Sequence, residues 1–551
     1  MFQRFIKKID LFKFFKLQNP FTWRSLIGII LLAALLRFPN IFWGIPIFDP
    51  MAHSYHPDEP KILQGAFNFP YHILTNADLR YPTFYHYFLG TLSIPAKLLF
   101  KIEGWSTDHY QIYISVFGRF ISILLGLGSI FLTFILAKKL YNEKIGLLSA
   151  LFLSLSFYHV QNSAWATLDV PNSFFFILAT YLAFKMYEKP TLKFYLLTGI
   201  SFGILIGTKY NGAVAAILIL ILHYYKTLEK ERSISAILKA SISKRLWILF
   251  FSAGMVFILT TPGIVIKPGV FVDSLLNLLN LGAGRRYRFV FDYSIFNSII
   301  KNFATVTDPL LTIMMIFGLV IPLRKSWDKE IPLIVVVVIF FFVFGVLTSR
   351  QLIAVLPLTS ILAAQAIFYL YKKATIVSKP IWIFILSLWI IFEIVYNSVG
   401  IFLRKNDTRT EAAYYIENSI PTGSTIGAAS IGDYQRWSWM LPKIDTNKYK
   451  VVDPLEKPRF IILTSYDYVK MEGALLSDKL HNYTWDKKYS MEWYNAYPPS
   501  DEVFEFYDNI LNKKGCKFNY RLIKTFKKNI LIPIEFPSPQ VRIYESEEKF
   551  D

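Results

Sequence analysis

Apolar runs separated by short clusters of lysine and arginine set the pattern of the chain as far as Leu403. A helix needs about 20 mostly apolar residues to cross the hydrocarbon core of a bilayer. Eleven runs meet or approach that length: 23–43, 110–137, 145–164, 173–187, 194–208, 212–225, 246–262, 295–322, 331–347, 352–371 and 381–403. The apolar stretch 84–100 is interrupted by Gly90 and Pro95 and reads as a helix lying along the membrane surface. Alternate connections carry the basic residues: the N-terminus (Arg4, Lys7, Lys8, Lys13, Lys16, Arg24), then 138–144, 185–193, 226–245, 324–329 and 372–379. Short basic loops stay in the cytoplasm, so the pattern predicts a cytoplasmic N-terminus and an outer C-terminal tail. The first run closes on Arg37-Phe38-Pro39-Asn40 without a small-residue cleavage site, and is expected to be an anchor. Residues 1–22 mix lysines with Phe2, Phe5, Ile6, Ile9 and Phe12, a pattern suited to the inner membrane face.

Beyond residue 403 the pattern changes. Residues 410–418 read as a helix closed by Pro421-Thr422-Gly423, and 424–429, 459–465 and 541–544 read as strands. The predicted fold class is an α-helical polytopic membrane protein of eleven spans over 23–403, followed by a small α/β extracytoplasmic domain over 404–551. Two further pieces, 45–109 and 263–293, fall outside the membrane in this topology.

Composition supports the membrane reading. Of 551 residues 54% are apolar, 17% aromatic and 18% charged, against roughly 25% charged in an ordinary soluble chain. The net charge of +20 is confined to the first 404 residues, which hold 38 basic and 18 acidic side chains, while the tail holds 21 of each. That asymmetry points to a membrane protein obeying the positive-inside bias and not to a nucleic-acid binder. Cys516 is the single cysteine, so no intrachain disulfide forms.

The first outer piece carries His53-Ser54-Tyr55-His56-Pro57-Asp58-Glu59-Pro60, and further on Arg80-Tyr81-Pro82-Thr83-Phe84-Tyr85-His86. The prolines restrict the backbone on both sides of the acidic pair. A carboxylate close to an apolar interface holds its proton more tightly, which suits a base working near neutral pH. The competing reading makes Asp58 and Glu59 first-turn acids of a short helix with Pro60 in that turn. Neighbouring side chains on a helix diverge, so a site here uses one of the two directly. His53, His56 and Asp58 match no specific metal-binding spacing, and the two histidines read as surface residues in preference to ligands.

Other polar groups cluster toward the same side. Asp169, before Val170-Pro171, is either a helix cap or a second acid of the site. Arg37, Arg119, Lys209 and Arg350 lie in or beside apolar runs, where charge is costly, and are either functional or snorkelling to the interface. Gly282-Ala283-Gly284-Arg285-Arg286-Tyr287-Arg288 places three arginines outside, against the usual bias. A guanidinium fork suits phosphate oxygens, with anionic lipid headgroups as the alternative partner. Acids and phosphate-binding cations on an outer face, where soluble nucleotide donors are absent, fit a phosphate-bearing lipid as substrate.

The ordered set Arg37-Phe38-Pro39, His56-Pro57-Asp58-Glu59, Tyr81-Pro82-Thr83-Phe84-Tyr85, Gly118-Arg119-Phe120, Asp169-Val170-Pro171, Gly207-Thr208-Lys209-Tyr210-Asn211-Gly212 and Arg350 ahead of Pro357 resembles the C-type (GT-C) glycosyltransferases that use polyprenyl-phosphate sugars. Within them it is similar to the protein mannosyltransferase and aminoarabinose transferase superfamily. Asp407-Thr408-Arg409 through Ser424 is similar to the extramembrane domain that often follows. The resemblance implies that Asp58 is the catalytic carboxylate, with Glu59 supporting it and Asp169 as second acid, and that the anomeric carbon inverts. It implies a polyprenyl-phosphate sugar donor and a glycan, lipid or protein acceptor. Lys209, Arg350, Arg285 and Arg286 are the expected phosphate partners, and His56, Arg80, Tyr81, Tyr85 and His86 the expected pocket. Metal use varies in the family, so a divalent metal stays open. No β-trefoil-like insertion interrupts the middle spans, which leaves a glycan or lipid acceptor at least as well supported as protein.

A lipid-linked glycan transporter or flippase is the alternative. It predicts ionisable groups near mid-membrane and related halves, whereas the charges here cluster toward the outer side and no repeat is seen, which makes it the weaker reading. A non-enzymatic scaffold leaves the polar first loop unexplained. An oligosaccharyltransferase is disfavoured by the lack of a Trp-Trp-Asp signature in the tail.

Overall fold

The computed structural model describes residues 20–45, 54–71, 79–104, 107–287, 308–320, 327–344, 349–375, 379–428, 441–465, 510, 520–528 and 539–547. These fall into two compact units, drawn from Met1–Ile41, Ile62–Ile94 and Phe117–Ser398, and from Phe42–Lys61, Pro95–Val116 and Val399–Asp551.

The first unit is helical. In chain order the helices are α1 (Pro20–Arg37), α2 (Glu59–Phe67), α3 (Phe84–Ile102), α4 (Thr107–Leu140), α5 (Glu143–Leu155), α6 (Phe157–Ser163), α7 (Asp169–Glu188) and α8 (Leu192–Thr208). They continue as α9 (Ala215–Leu228), α10 (Ile234–Ser241), α11 (Lys244–Thr260), α12 (Gly263–Ile266), α13 (Pro268–Tyr287), α14 (Pro309–Val320), α15 (Trp327–Phe344), α16 (Leu356–Lys373) and α17 (Lys379–Lys405). The ends of α2, α3, α4 and α17 pass into the second unit.

A helix thus underlies every apolar run, and large apolar side chains stay exposed on α1 (Leu31, Leu35), α11 (Trp247, Phe251) and α17 (Phe384, Ile391). Lipid is the solvent that accepts such a surface while the helices satisfy their own backbone groups. The protein is a membrane protein. The count of eleven spans is not reached on length and hydropathy: among the described residues five helices qualify, or six if the bent pair Ile234–Ser241 and Lys244–Thr260 forms one span. Leu192–Thr208, Leu310–Val320 and Glu330–Val343 are apolar but shorter. The run 145–164 is two helices, because the chain turns at Ser156 between α5 and α6. Residues 1–19 and 288–307, which carry the basic N-terminal pattern and part of one predicted span, lie outside the described residues.

Close packing of α8 on α11 comes from three glycines four residues apart. A Cβ on Gly199 would collide with Ser252 Oγ and the Leu249 carbonyl. One on Gly203 would sit 2.5 Å from the Ala253 carbonyl, and one on Gly207 2.6 Å from Thr260 Oγ1. Without a hydrophobic driving force between helices in lipid, such small-residue faces supply the contact.

The second unit contains a five-stranded sheet in the order β2-β1-β3-β5-β4, with β1 Thr425–Ala428, β2 Lys450–Val452, β3 Phe460–Thr464, β4 Tyr520–Phe526 and β5 Val541–Ser546. β1 is parallel to β2 and β3, and β5 runs antiparallel to β3 and β4. α18 (Thr408–Ser419) packs Ala412 and Ile416 against Ile426, Phe460, Ile462, Val541 and Ile543. Helix 410–418 and the strands at 424–429, 459–465 and 541–544 are therefore observed, with β2 and β4 added.

Gly203→Ala is expected to destabilise the helical unit by about 1–3 kcal/mol, because backbone atoms of α11 leave no room to yield. Thermal unfolding in detergent checks this, against Gly28→Ala, whose Cβ meets nothing within 4 Å.

Candidate active site

In the second unit, the residues ahead of α2 form a compact polar turn. The amide of Asp58 donates to His56 Nδ1 at 3.1 Å, and Ser54 Oγ donates to Glu59 Oε2 at 2.5 Å. Ser54 Oγ also lies 3.3 Å from both the amide and the carbonyl of His56. His56 and Glu59 are fully buried, while Asp58 is half-buried. Adjacent carboxylates thus occupy different environments: Glu59 opens α2 and is engaged by a hydroxyl, whereas Asp58 keeps part of its surface accessible. With Nδ1 accepting the Asp58 amide, His56 serves the turn rather than a metal through that atom. His53 lies outside the described residues. Among the described residues no three His, Cys, Asp or Glu side chains converge as metal ligands do.

In the first unit, α7 and the end of α8 bring two predicted candidates together. Lys209 Nζ donates to Asp169 Oδ1 at 2.5 Å, and both side chains are largely buried. Asp169 is the first residue of α7 and its first-turn acid rather than its cap, which is Leu168 and has no side-chain cap bond. Lys209 ends α8 in extended backbone, and the next turn carries Asn211. Asn172 Nδ2 donates to Asn211 Oδ1 at 2.9 Å, and Asn211 Nδ2 to Gln351 Oε1 at 2.7 Å. Gln351 follows Arg350, which is half-buried in the 3-10 turn Ser349–Val355. An amide chain therefore runs from α7 through the turn after α8 to the turn that holds Arg350. Asn172 and Gln351 escape a search for charges; Asn211, inside Lys209-Tyr210-Asn211-Gly212, is the one with a motif to mark it.

The remaining candidates are more dispersed. Tyr85 and His86 are buried on α3, and the Tyr85 hydroxyl lies 3.4 Å from the Gly118 carbonyl. Arg80 is exposed and Tyr81 half-buried. Arg285 and Arg286 belong to the backbone of α13, with their side chains outside the described residues. Arg37 and Arg119 have architectural partners. Arg37 donates to the carbonyls of Ala33 (2.9 Å), Ser154 (3.0 Å) and Leu153 (3.4 Å), to Ser163 Oγ (3.2 Å) and to His159 Nδ1 (3.0 Å). Arg119 Nη1 donates to the Ile41 carbonyl at 2.9 Å. With Asn397, which donates to the Leu155 carbonyl at 2.8 Å, Arg37 satisfies the end of α5 where the chain breaks.

Several apolar helices of membrane-spanning length, with large apolar side chains left exposed, define a polytopic membrane protein. Residues 115–257 match the family described as dolichyl-phosphate-mannose-protein mannosyltransferase. The archaeal oligosaccharyltransferase AglB from Archaeoglobus fulgidus, in complex with an inhibitory peptide and a dolichol-phosphate, shares the fold with a TM-score of 0.54 at 12% identity, covering 96% of this chain and 89% of that one. An Archaeoglobus fulgidus oligosaccharyltransferase tethered with an acceptor peptide containing the NVT sequon matches with a TM-score of 0.52 at 12% identity, over 97% of this chain and 89% of that one. An uncharacterized protein of Aquifex aeolicus (strain VF5) is 39% identical over 72 residues, a match spanning 13% of this chain and 14% of that relative. The resemblance read from the motifs is borne out. The family match includes Arg119, Asp169 and Lys209; Asp58 and Arg350 lie outside it.

Lys209→Met strands the Asp169 carboxylate, and loss of one partner from a buried pair costs roughly 3–5 kcal/mol. Its unfolding temperature in detergent should fall clearly, and Asp169→Asn in the same background should recover at least part of the loss.

Proposed function

We propose that the protein is a membrane glycosyltransferase moving a sugar from a polyprenyl-phosphate donor to an acceptor hydroxyl on the extracytoplasmic face, with inversion. The observation that carries the choice of base is the division of the acidic pair: Glu59 is fully buried and holds Ser54, while Asp58 keeps accessible surface and a fixed amide. The family match over 115–257, whose description names a dolichyl-phosphate sugar, supports this choice of donor.

The reaction proceeds in one displacement. The acceptor oxygen bonds to C1 of the sugar as the bond from C1 to the lipid phosphate oxygen breaks. Asp58 receives the proton of the acceptor hydroxyl, and the electron pair leaves with the polyprenyl phosphate. Base assistance of this kind contributes typically 10²–10⁴-fold. The phosphate is a stable leaving group, so no dedicated acid is required, and cations answer its growing charge. Arg350 and Lys209 are assigned to that work, with Arg285 and Arg286 as further phosphate partners. Asp169 holds Lys209 in place, and the amide chain from Asn172 to Gln351 fixes the neighbouring turn. His56 orients Asp58, and Arg80, Tyr81, Tyr85 and His86 are assigned to the substrate pocket.

Purified protein incubated with a panel of polyprenyl-phosphate hexoses and pentoses, and with glycan, lipid and peptide acceptors, should release free polyprenyl phosphate with one donor. Asp58→Asn should lower that turnover by about 10²-fold or more while inserting and purifying like the wild type. Turnover equal to wild type would remove Asp58 as the base.

A further inference from the structure

The turn that carries Asp58 is fastened to the start of the α/β domain by one buried stack within the second unit. Trp43 and Tyr55 meet edge to face, with centroids 5.7 Å apart. The Arg409 guanidinium carbon lies 3.8 Å from the Tyr55 ring centroid and 5.6 Å from that of Trp43. Arg404 lies 5.1 Å from the Trp43 ring, and Lys443 Nζ 4.8 Å from the Tyr55 ring. Asp407 holds Arg409 and Trp43 together. Its Oδ2 accepts from Arg409 Nη2 at 2.7 Å and from the Trp43 indole at 3.2 Å, and its Oδ1 accepts from Arg409 Nε at 3.0 Å. Tyr55 Oη lies 3.4 Å from Thr410 Oγ1. Tyr55, Asp407 and Arg409 are all at most 1% exposed.

The backbone is shaped to the same end. Gly44 has φ 62°, and a Cβ there would sit 2.5 Å from Tyr55 Cγ. A side chain at 44 would strain the turn and push the ring off its seat at once. Tyr55 also stands between Ser54 and His56, which hold Glu59 and Asp58 respectively. Moving the ring moves both holders.

We propose that Arg409, Asp407 and Tyr55 are positioning residues, through which the α/β domain sets the place of Asp58. A flat guanidinium over a desolvated ring fixes distance and direction in a way that a lone ammonium does not. The domain is then a working part of the reaction centre, and its first four residues after α17 are its handle. This inference rests on Asp58 being the base.

The test uses the full-length protein in detergent, with Tyr55→Leu, Tyr55→Phe and Arg409→Lys. Hydrogen exchange at the amides of His56 and Asp58 should quicken about tenfold in Tyr55→Leu and in Arg409→Lys, and return close to wild type in Tyr55→Phe, which keeps the ring face. With dolichyl-phosphate mannose as donor, the same two variants should lose kcat about tenfold with donor KM within about twofold, and Tyr55→Phe should recover most of it. Wild-type exchange in Tyr55→Leu overturns the inference whatever the turnover. Quickened exchange with unchanged kcat, while Asp58→Asn is inactive, overturns the link to catalysis. An active Asp58→Asn with quickened exchange defeats the choice of base and leaves the anchoring standing.

Discussion

The hydrogen bond from the Asp58 amide to His56 Nδ1 decides what the acidic pair does. Two neighbouring carboxylates begin with the same chemistry, and only their surroundings separate them. Here one backbone turn gives the Glu59 carboxylate a hydroxyl donor and full burial, and leaves its neighbour partly open. A base needs a fixed origin and access for its substrate, and Asp58 combines a fixed amide with a side chain that is only half-buried. Glu59 has the first without the second.

The same economy governs the buried cations of the helical unit. Arg37 donates to the Leu153 and Ser154 carbonyls and Asn397 to that of Leu155, so the last carbonyls of α5 keep partners where the chain breaks at Ser156. Lys209, by contrast, is matched to one carboxylate and stands beside an amide chain. A guanidinium saturated by backbone is architecture. A lysine held by a single aspartate retains two donor directions for another anion.

Much of this was legible in the chain. Long unbroken apolar runs mark helices because a segment of that length in lipid satisfies its backbone groups within itself only as a helix. Phe460-Ile461-Ile462-Leu463-Thr464 marks a central strand because it is buried on both faces. β4 was not legible, since Tyr520–Phe526 lies at the sheet edge and exposes Arg521, Leu522, Lys524 and Thr525. β2, with three residues, is too short to leave a period. Hydropathy ran α5 into α6 because Ser156 is flanked by apolar residues, and the break depends on Arg37 from a distant helix. The glycines at 199, 203 and 207 are visible as a small-residue face, yet their partner α11 is known only from the fold. The charged motifs pointed to Asp58, Asp169 and Lys209, but they did not show that the last two pair, nor that Arg409 stacks on Tyr55.

The central claim is a single displacement assisted by one carboxylate, and the anomeric configuration of the product reports on it directly. A donor of known configuration, turned over by the purified protein and followed by proton NMR of the anomeric centre, should give product of the opposite configuration. Product of the same configuration would require two displacements and a glycosyl intermediate, and would contradict the account.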